Sequence, residues 1–242
     1  MNIMNREPLA ENLARVRARM AAAAQRAGRD PSAVTLVAVS KTHPVEAIQA
    51  AYSLGVRDFG ENRVEEALPK MAAVQAWLAQ QPGAQPITWH LIGHLQSRKA
   101  AAAVGPFGLI HSVDRMKIAR KLSQQSQARG LEQAILLEVN VAGEASKYGF
   151  RIEEIGPALT EIAALPHLHV AGLMTMAPLA ANPDEVRPVF QRLRSLRTAL
   201  AQRAPQFERS QLSMGMTDDF ETAIEEGATL VRIGRAIFGE RE

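Results

Sequence analysis

Lys41 is the side chain of this sequence best placed to act as a nucleophile, because it closely follows a run of apolar residues. Residues 36–39 (LVAV) are typical of a buried strand, and Lys41 comes two positions after them. Partial burial of a lysine disfavours its ammonium form and leaves an amine that can form a Schiff base with a carbonyl. The alternative is a solvated lysine in a loop, since most lysines are exposed. The sequence contains no cysteine, which excludes a thiol nucleophile.

Two glycine-containing segments near the carboxyl end are typical of a phosphate-binding site. LSMGMTDD supplies the Ser213 hydroxyl and a flexible backbone at Gly215, and VRIGRAIFG places Gly234 and Arg235 at the start of a short predicted helix. The N–H groups at a helix start attract anions, whereas ordinary glycine turns are the alternative. Together with Lys41, an anion site indicates a phosphorylated aldehyde or ketone as ligand. Pyridoxal 5'-phosphate (PLP) is the first candidate, and a sugar phosphate in an aldolase is the second.

Arg232 distinguishes between these two ligands. The last predicted strand points Arg232 inward, where it can face the ring nitrogen of a PLP molecule whose phosphate lies beside Gly234. A permanently charged guanidinium there keeps the ring nitrogen unprotonated, and such a PLP stabilises carbanions poorly. The alternative for Arg232 is a surface salt bridge with Glu225 or Glu226.

Asn62 follows the second predicted strand, and His90 lies at the end of the third. Both are therefore further candidates for cofactor contact. His90 and His94 are four residues apart, a spacing that suits a metal site on a helix. The segment between them is typical of a strand and a turn, with no carboxylate nearby, so we expect no metal site. We expect Lys147 to be a solvated loop residue.

The elements that must position these residues alternate in type along the chain. An amphipathic first helix is predicted over about residues 7–27. Strands are predicted at 35–40, 56–59, 87–91, 109–112, 135–141, 169–174, 211–213 and 229–233. Helices are predicted at 44–54, 63–80, 97–104, 115–128, 152–165, 184–204, 218–226 and from 235 onward. This order predicts a single (β/α)8 TIM barrel over about residues 34–240, and an open doubly wound sheet is the alternative.

Length and composition narrow the class of protein. A barrel of roughly 250 residues would occupy all 242 residues and leave no room for a second catalytic domain. The net charge of +3 is scattered and aromatic residues make up 5%, so we expect no nucleic acid as a partner. The amino-terminal segment is charged throughout, and no apolar run reaches the roughly 20 residues that span a bilayer. We therefore expect a cytoplasmic protein that binds no membrane.

Seven segments together resemble the YggS/PROSC family of PLP homeostasis proteins. They are VAVSKTHP, FGENR, WHLIGHLQSRK, HSVD, NVAGEASKYGF, GLMTMAP and LSMGMTDDFETAIEEGATLVRIGRAIFG, and they cover nearly the whole chain. The resemblance implies a fold similar to the amino-terminal barrel of alanine racemase, with PLP on Lys41 as an internal aldimine and Arg232 towards the pyridine nitrogen. It implies a phosphate site at four positions: Ser213, Gly215, Gly234 and Arg235. Relatives commonly carry Ser or Thr at the position of Arg235, so the backbone contact is the one carried over.

Three functions are compatible with these residues. The resemblance implies a protein that holds PLP for intracellular homeostasis without strong catalysis, with PLP-dependent apoenzymes as partners and a monomeric state. An amino-acid racemase would need a second base, which in alanine racemase is a tyrosine from the partner chain; here the only tyrosines are Tyr52 and Tyr148. A Schiff-base aldolase would need an acidic residue or a second lysine as partner for Lys41 inside the barrel, and Glu138 is the one mid-strand carboxylate that stands out.

Overall fold

Eight parallel strands close into a barrel in chain order in the computed structural model, which describes residues 6–144, 147–178, 182–204, 207 and 210–239. The strands are β1 Thr35–Val39, β2 Asp58–Glu61, β3 Thr88–Leu91, β4 Leu109–Val113, β5 Gln133–Glu138, β6 Leu168–Met174, β7 Gln211–Ser213 and β8 Leu230–Ile233. The helices of the described residues are α1 Arg6–Arg26, α2 Val45–Ser53, α3 Val64–Leu78, α4 Ala100–Ala103, α5 Met116–Arg129, α6 Ile155–Ala163, α7 Arg187–Arg203, α8 Phe220–Glu225 and α9 Arg235–Phe238.

The pairing of β1 decides between the two predicted architectures. Ala38 in β1 is in register with Phe59 of β2 on one side and with Ile233 of β8 on the other. A strand bonded on both sides by the second and the last strand closes the sheet, so the (β/α)8 barrel is confirmed and the open sheet is wrong. No helix among the described residues is long and apolar enough to span a membrane.

The first helix packs on the outside of the barrel against α8 and α9. Its apolar stripe, which includes Leu9, Leu13 and Val16, is buried. At its rim, Arg19 forms an ion pair of 2.7 Å with Glu221 of α8. The predicted helix over about residues 7–27 is therefore present. It covers the last two helices, which follow β7 and β8.

Two strands differ from their prediction by two or more residues at each end. The predicted strand 56–59 is found at Asp58–Glu61, because Val56 instead closes the end of α2 by donating its N–H to the Ala51 carbonyl (3.1 Å). The predicted strand 135–141 is found at Gln133–Glu138, because Asn140 donates its N–H to Phe150 and so pairs with the loop that follows (2.9 Å). Both changes carry a carboxylate, Glu61 or Glu138, to the last position of its strand.

Several helices also begin later than predicted. The stretches 152–165 and 184–204 start with 3-10 turns at Ile152–Glu154 and Pro183–Val186 before the α-helical residues. The stretch 97–104 is a 3-10 turn, Ser97–Lys99, followed by the single turn of α4. Turns of this kind are frequent at helix starts, and they share the side-chain spacing of three that the sequence pattern contains.

The barrel has an apolar plug inside it and a larger apolar layer between strands and helices. The plug consists of five buried residues from five different strands: Val37, Leu109, Leu136, Met174 and Leu230. The polar interior residues described below share the barrel with this plug, so the barrel is a packed core and not a pore.

Replacing Leu136 by Ala tests the plug. Leu136 is 0% exposed, so Leu136→Ala should lower the free energy of unfolding by about 2–5 kcal/mol, through lost burial and the cavity left behind. Urea unfolding followed by circular dichroism measures the change. Leu131→Ala is the matched control, because Leu131 is 41% exposed and should cost far less. Equal losses in the two variants would contradict a plug at Leu136.

Candidate functional site

A cavity of about 740 Å³ opens at the carboxyl-terminal ends of the strands. This is the end at which TIM barrels carry their sites, and the volume suits a small organic ligand. The described residues of its wall come from the segments at the ends of β1, β2, β3, β5, β6, β7 and β8. Five of the eight predicted site residues are among them: Lys41, Asn62, Arg232, Gly234 and Arg235.

The other three predicted residues are not among the described residues of the wall. Ser213 is 0% exposed and its hydroxyl contacts Arg232 and His111 inside the barrel. Gly215 has φ +93°, and a Cβ there would lie 2.6 Å from the Cβ of Ala223, so glycine permits the close packing of this turn on α8. A direct phosphate contact of these two residues stays a prediction.

Arg232 is buried at the inner end of the cavity. One of its terminal nitrogens donates to Ser213 Oγ (2.5 Å) and the other to the Thr175 carbonyl (3.0 Å). Burial lowers the pKa of Arg232 to about 10, against the opposing effect of the Asp219 and Glu138 carboxylates. The guanidinium is therefore charged at neutral pH.

The alternative of a surface salt bridge for Arg232 is wrong. Glu225 pairs instead with Arg187 (2.8 Å), and the Glu226 carboxylate also pairs with Arg187 (3.0 Å). Both carboxylates face Arg187 of α7, while Arg232 is 4% exposed and points into the barrel. Its charge is therefore directed at the cavity.

A chain of hydrogen bonds connects Arg232 with the opposite end of the barrel. Ser213 Oγ lies 2.8 Å from His111 Nδ1. His111 Nε2 lies 2.9 Å from His90 Nδ1, and His90 Nε2 lies 3.0 Å from the Asp58 carboxylate. His90 is not among the described residues of the wall, and these hydrogen bonds connect it with the cavity only through other side chains. A direct contact of His90 with a ligand stays a prediction.

The end groups of this chain give it one direction. Arg232 only donates and a carboxylate such as Asp58 only accepts, so the hydrogens run from Arg232 to Asp58 when each imidazole carries one proton. Burial holds the pKa of His111 well below its usual range, and His90 and Arg232 lower it further. The neutral form of His111 accepts from the Ser213 hydroxyl and donates to His90. Ser213 is in this way held with its lone pair towards Arg232.

Glu138 places a carboxyl group in the cavity next to this charge. It is the last residue of β5, is 3% exposed and belongs to the wall. Burial raises the pKa of Glu138 to about 7 and the Asp114 carboxylate adds to the rise, while Arg232 opposes it. Glu138 can therefore hold or release a proton near neutral pH, which is the property expected of a general acid or base.

An aromatic pair forms one side of the cavity mouth. The rings of His94 and Tyr148 stack with centroids 3.8 Å apart and an angle of 18° between their planes. His94 Nδ1 also lies 3.3 Å from the Asp114 carboxylate, so this ring contacts both Tyr148 and a buried acid. No group of three potential metal ligands occurs among the described residues, and the absence of a metal site stays a prediction.

The loops after β7 and β8 are joined across the cavity by an ion pair. Arg235 donates to the Asp218 carboxylate at 2.5 Å, and both side chains are more than half exposed. Thr217 belongs to the same part of the wall. The sequence pattern predicts a contact of Arg235 through its backbone only. The two aspartates of TDD after β7 are the signal that a carboxylate faces its side chain.

The loop after β3 approaches the loop after β2 very closely. A Cβ at Gly93 would lie 2.3 Å from the Asn62 carbonyl oxygen, which only glycine avoids. The Gly93 carbonyl in turn accepts a hydrogen bond from the Ser112 hydroxyl (2.6 Å). Asn62 and Gly93 both belong to the cavity wall, so this contact sets the distance between two of its sides.

Lys147 forms an ion pair of 2.8 Å with Glu144 in the loop after β5. It is not among the described residues of the cavity wall. The prediction of a loop residue is consistent with this position, although Lys147 has a carboxylate partner.

Comparison with known proteins gives consistent matches along the chain. Residues 11–242 match the family model described as alanine racemase, N-terminal domain. A pyridoxal phosphate homeostasis protein of Pseudomonas aeruginosa is 47% identical over 235 residues, which cover 97% of this chain and 96% of that protein. The structure of PipY from Synechococcus elongatus with PLP bound is 36% identical, with a TM-score of 0.81 and coverage of 96% of this chain and 100% of that chain.

A structure of alanine racemase from Clostridium difficile shows the limit of the likeness. It superposes with a TM-score of 0.68 over 97% of this chain and 57% of that chain, at 11% identity. The similarity is therefore one of fold alone. It confirms the expected likeness to the barrel of alanine racemase.

Glu138 gives this protein a predicted pH dependence of stability. A carboxyl whose pKa rises from 4.5 to about 7 on folding contributes stability below pH 4.5, and this is lost as the pH rises through 7. Glu138→Gln, which stays uncharged, should therefore lose less stability than the wild type between pH 4.5 and 7.5. The shift corresponds to at most about 3 kcal/mol. Urea unfolding at both pH values measures it.

The exposed Glu153→Gln variant serves as the control and should behave like the wild type. Buried carboxyls that do not interact with Glu138 contribute equally to the pH dependence of all three proteins and cancel in the comparison. The same pH dependence in Glu138→Gln and in the wild type would contradict the assigned environment of Glu138.

Proposed function

The chain belongs to the family of the alanine racemase N-terminal domain and, within it, to the YggS/PROSC group, and from this membership we propose that it binds PLP covalently on Lys41. Its role is to hold and release PLP for intracellular homeostasis, in the cytoplasm and as a monomer, with PLP-dependent apoenzymes as recipients. The observation that carries the proposal is that Lys41 and the buried Arg232 belong to the wall of one cavity of suitable volume.

The side chains of the wall suit the chemical groups of PLP. PLP supplies an aldehyde that condenses with a lysine amine with loss of water, a ring nitrogen that accepts hydrogen bonds, and an anionic phosphate. Lys41 provides the amine. Gly234, Arg235 and Thr217 lie together at the ends of β7 and β8, the usual phosphate position in barrels, and supply a cation, a hydroxyl and backbone N–H groups.

Arg232 is the residue that favours storage of PLP over carbanion chemistry. Its charge disfavours a second positive charge on the ring nitrogen, and its remaining N–H groups can donate to that nitrogen. The contacts with Ser213 and the Thr175 carbonyl prevent the guanidinium from turning away. A PLP held against such a group keeps its carbonyl reactivity and loses much of its capacity as an electron sink.

A racemase is the second candidate. Its support is the shared barrel, at 11% identity to the alanine racemase of Clostridium difficile. Among the described wall residues, Tyr148 is the only tyrosine, and its ring is stacked on His94 at the mouth. Glu138 is the group of the wall best suited to move a proton near neutral pH. Slow turnover of alanine through Glu138 would favour this candidate, and we expect none at ordinary enzyme rates of about 1 per second or more.

Replacing Lys41 by Ala tests the covalent link. Wild-type protein mixed with PLP should gain a visible absorption band, and borohydride should then fix PLP on Lys41, as mapped by peptide mass spectrometry. Lys41→Ala should lose both the band and the fixed PLP because no amine remains at this position. Lys117→Ala, which alters an exposed lysine of α5, is the matched control and should behave like the wild type. PLP fixed equally on Lys41→Ala would contradict the proposal.

Replacing Arg232 by Glu tests the contact with the ring nitrogen. A carboxylate stabilises a protonated ring nitrogen, so the visible spectrum of bound PLP and its pH dependence should both change. Arg232→Lys, which keeps the positive charge, should retain the wild-type pH dependence. Arg232→Gln replaces Arg232→Glu if the latter is unfolded by circular dichroism. A spectrum that is identical in all folded variants would show that Arg232 lies elsewhere relative to the ring.

A further inference from the structure

A charged cluster contacts the backbone on either side of Lys41, and its side chains are not among the described residues of the cavity wall. The Lys70 ammonium of α3 donates to Glu61 Oε1 (3.1 Å), at the end of β2, and to Glu66 Oε1 (2.8 Å), one helical turn before it. It also donates to the Ser40 carbonyl (3.1 Å), and the Ser40 hydroxyl donates to Glu61 (2.7 Å). We call Glu61, Glu66 and Lys70 the α3 clamp.

The clamp holds both peptide groups that flank Lys41. The carbonyl of the preceding peptide belongs to Ser40 and is bound by Lys70. The N–H of the following peptide belongs to Thr42 and donates to Glu66 Oε1 (2.5 Å). Because these two peptide planes define the φ and ψ angles of Lys41, holding both of them fixes the direction in which its side chain leaves the backbone.

Thr42, the residue after Lys41, has a strained backbone conformation. Its φ is +67°, in the left-handed region that is unfavourable for a β-branched residue. Such conformations persist where surrounding contacts enforce them, and they cluster at functional sites. The contact with the Thr42 N–H comes from Glu66, whose oxygen is itself held by Lys70.

The composition of the clamp also indicates a geometric role. The side chain of Glu61 is 0% exposed and that of Lys70 is 12% exposed, so both charges have lost most of their water. A buried ion pair is often no more stabilising than apolar side chains of similar volume. Apolar side chains could therefore join α3 to the barrel without these charges. Holding a carbonyl and an N–H at the same time requires a donor and an acceptor.

We propose that Glu66 and Lys70 are positioning residues that fix the backbone of Lys41 so that its amine stays directed into the cavity. The inference rests on the proposed function of Lys41 and adds two residues to it. A lysine side chain has four rotatable bonds, so a fixed backbone removes two further degrees of freedom from the position of its nitrogen. Lys70 itself is held by the oxygens of the clamp and of Ser40 and does not compete as an amine.

Glu66→Gln is the variant that tests the clamp. The amide keeps the shape of the side chain and weakens its contacts with both Thr42 and Lys70. The rate at which PLP becomes linked to Lys41, followed by stopped-flow absorbance, should fall about tenfold, since small misplacements of a reacting group have effects of this size or larger. Glu66→Asp keeps the charge, is too short to reach Thr42, and should show a loss in the same direction. Peptide mapping after borohydride treatment confirms that Lys41 is still the linked residue.

Glu65→Gln is the matched control. Glu65 precedes Glu66 on the same helix, its side chain is 56% exposed, and it pairs with Lys99. This variant removes the same charge without touching Lys41 and should keep the wild-type rate. A tenfold loss here too would overturn the inference, because the effect would then be one of charge on α3.

Thr42→Gly separates positioning from stability. Glycine adopts a φ of +67° without a side-chain penalty, so Thr42→Gly added to Glu66→Gln should restore part of the linking rate. Urea unfolding of each variant measures stability in parallel. A wild-type linking rate in folded Glu66→Gln would overturn the clamp and leave the proposed function intact. A wild type in which PLP never becomes linked to Lys41 would overturn both.

Discussion

The buried guanidinium of Arg232 is the group around which the polar half of this barrel is arranged. A charge that is 4% exposed must be surrounded by acceptors and by opposite charge, since its desolvation is costly. Ser213 and the Thr175 carbonyl supply the acceptors, and Glu138 and Asp219 supply the opposing charge. Polar contacts thereby occupy the interior around Thr175, Ser213 and Arg232, and the apolar plug, to which β6 and β8 also contribute Met174 and Leu230, fills the space that remains.

The same charge explains why the imidazoles lie where they do. Ser213 accepts from Arg232 and needs an acceptor for its own hydrogen, which a neutral His111 provides. His111 then needs an acceptor in turn, which His90 provides before the chain ends at Asp58. A protonated His111 would oppose Arg232, and its low pKa follows from this neighbour as well as from burial. The site is therefore supported by residues that are not themselves among the described residues of the cavity wall.

The barrel and the two cationic residues of the site follow from local sequence patterns, whereas the contacts behind them do not. Lys41 could be placed because a predicted strand ends just before it. Arg232 could be placed because side chains alternate between the two faces of the strand that contains it. The partners of His90 and His111 come from strands 21 to 102 positions away, a distance at which periodicity carries no information. Ser213 is predicted beside a phosphate from its place at the end of a strand, a pattern that does not reveal the contacts of its hydroxyl with Arg232 and His111 inside the barrel. The displacement of β2 arises similarly, from the use of Val56 to end a helix.

Gly93 has a consequence for how this protein tolerates mutation. With 2.3 Å between a would-be Cβ and the Asn62 carbonyl, every amino acid other than glycine pushes two sides of the cavity apart. Many surface positions of a barrel accept most substitutions, but this position accepts no other amino acid without a change in the shape of the site. Substitution in this chain is therefore restricted at a position that carries no reactive group. A mutation there would weaken ligand binding although every reactive side chain of the site is still present.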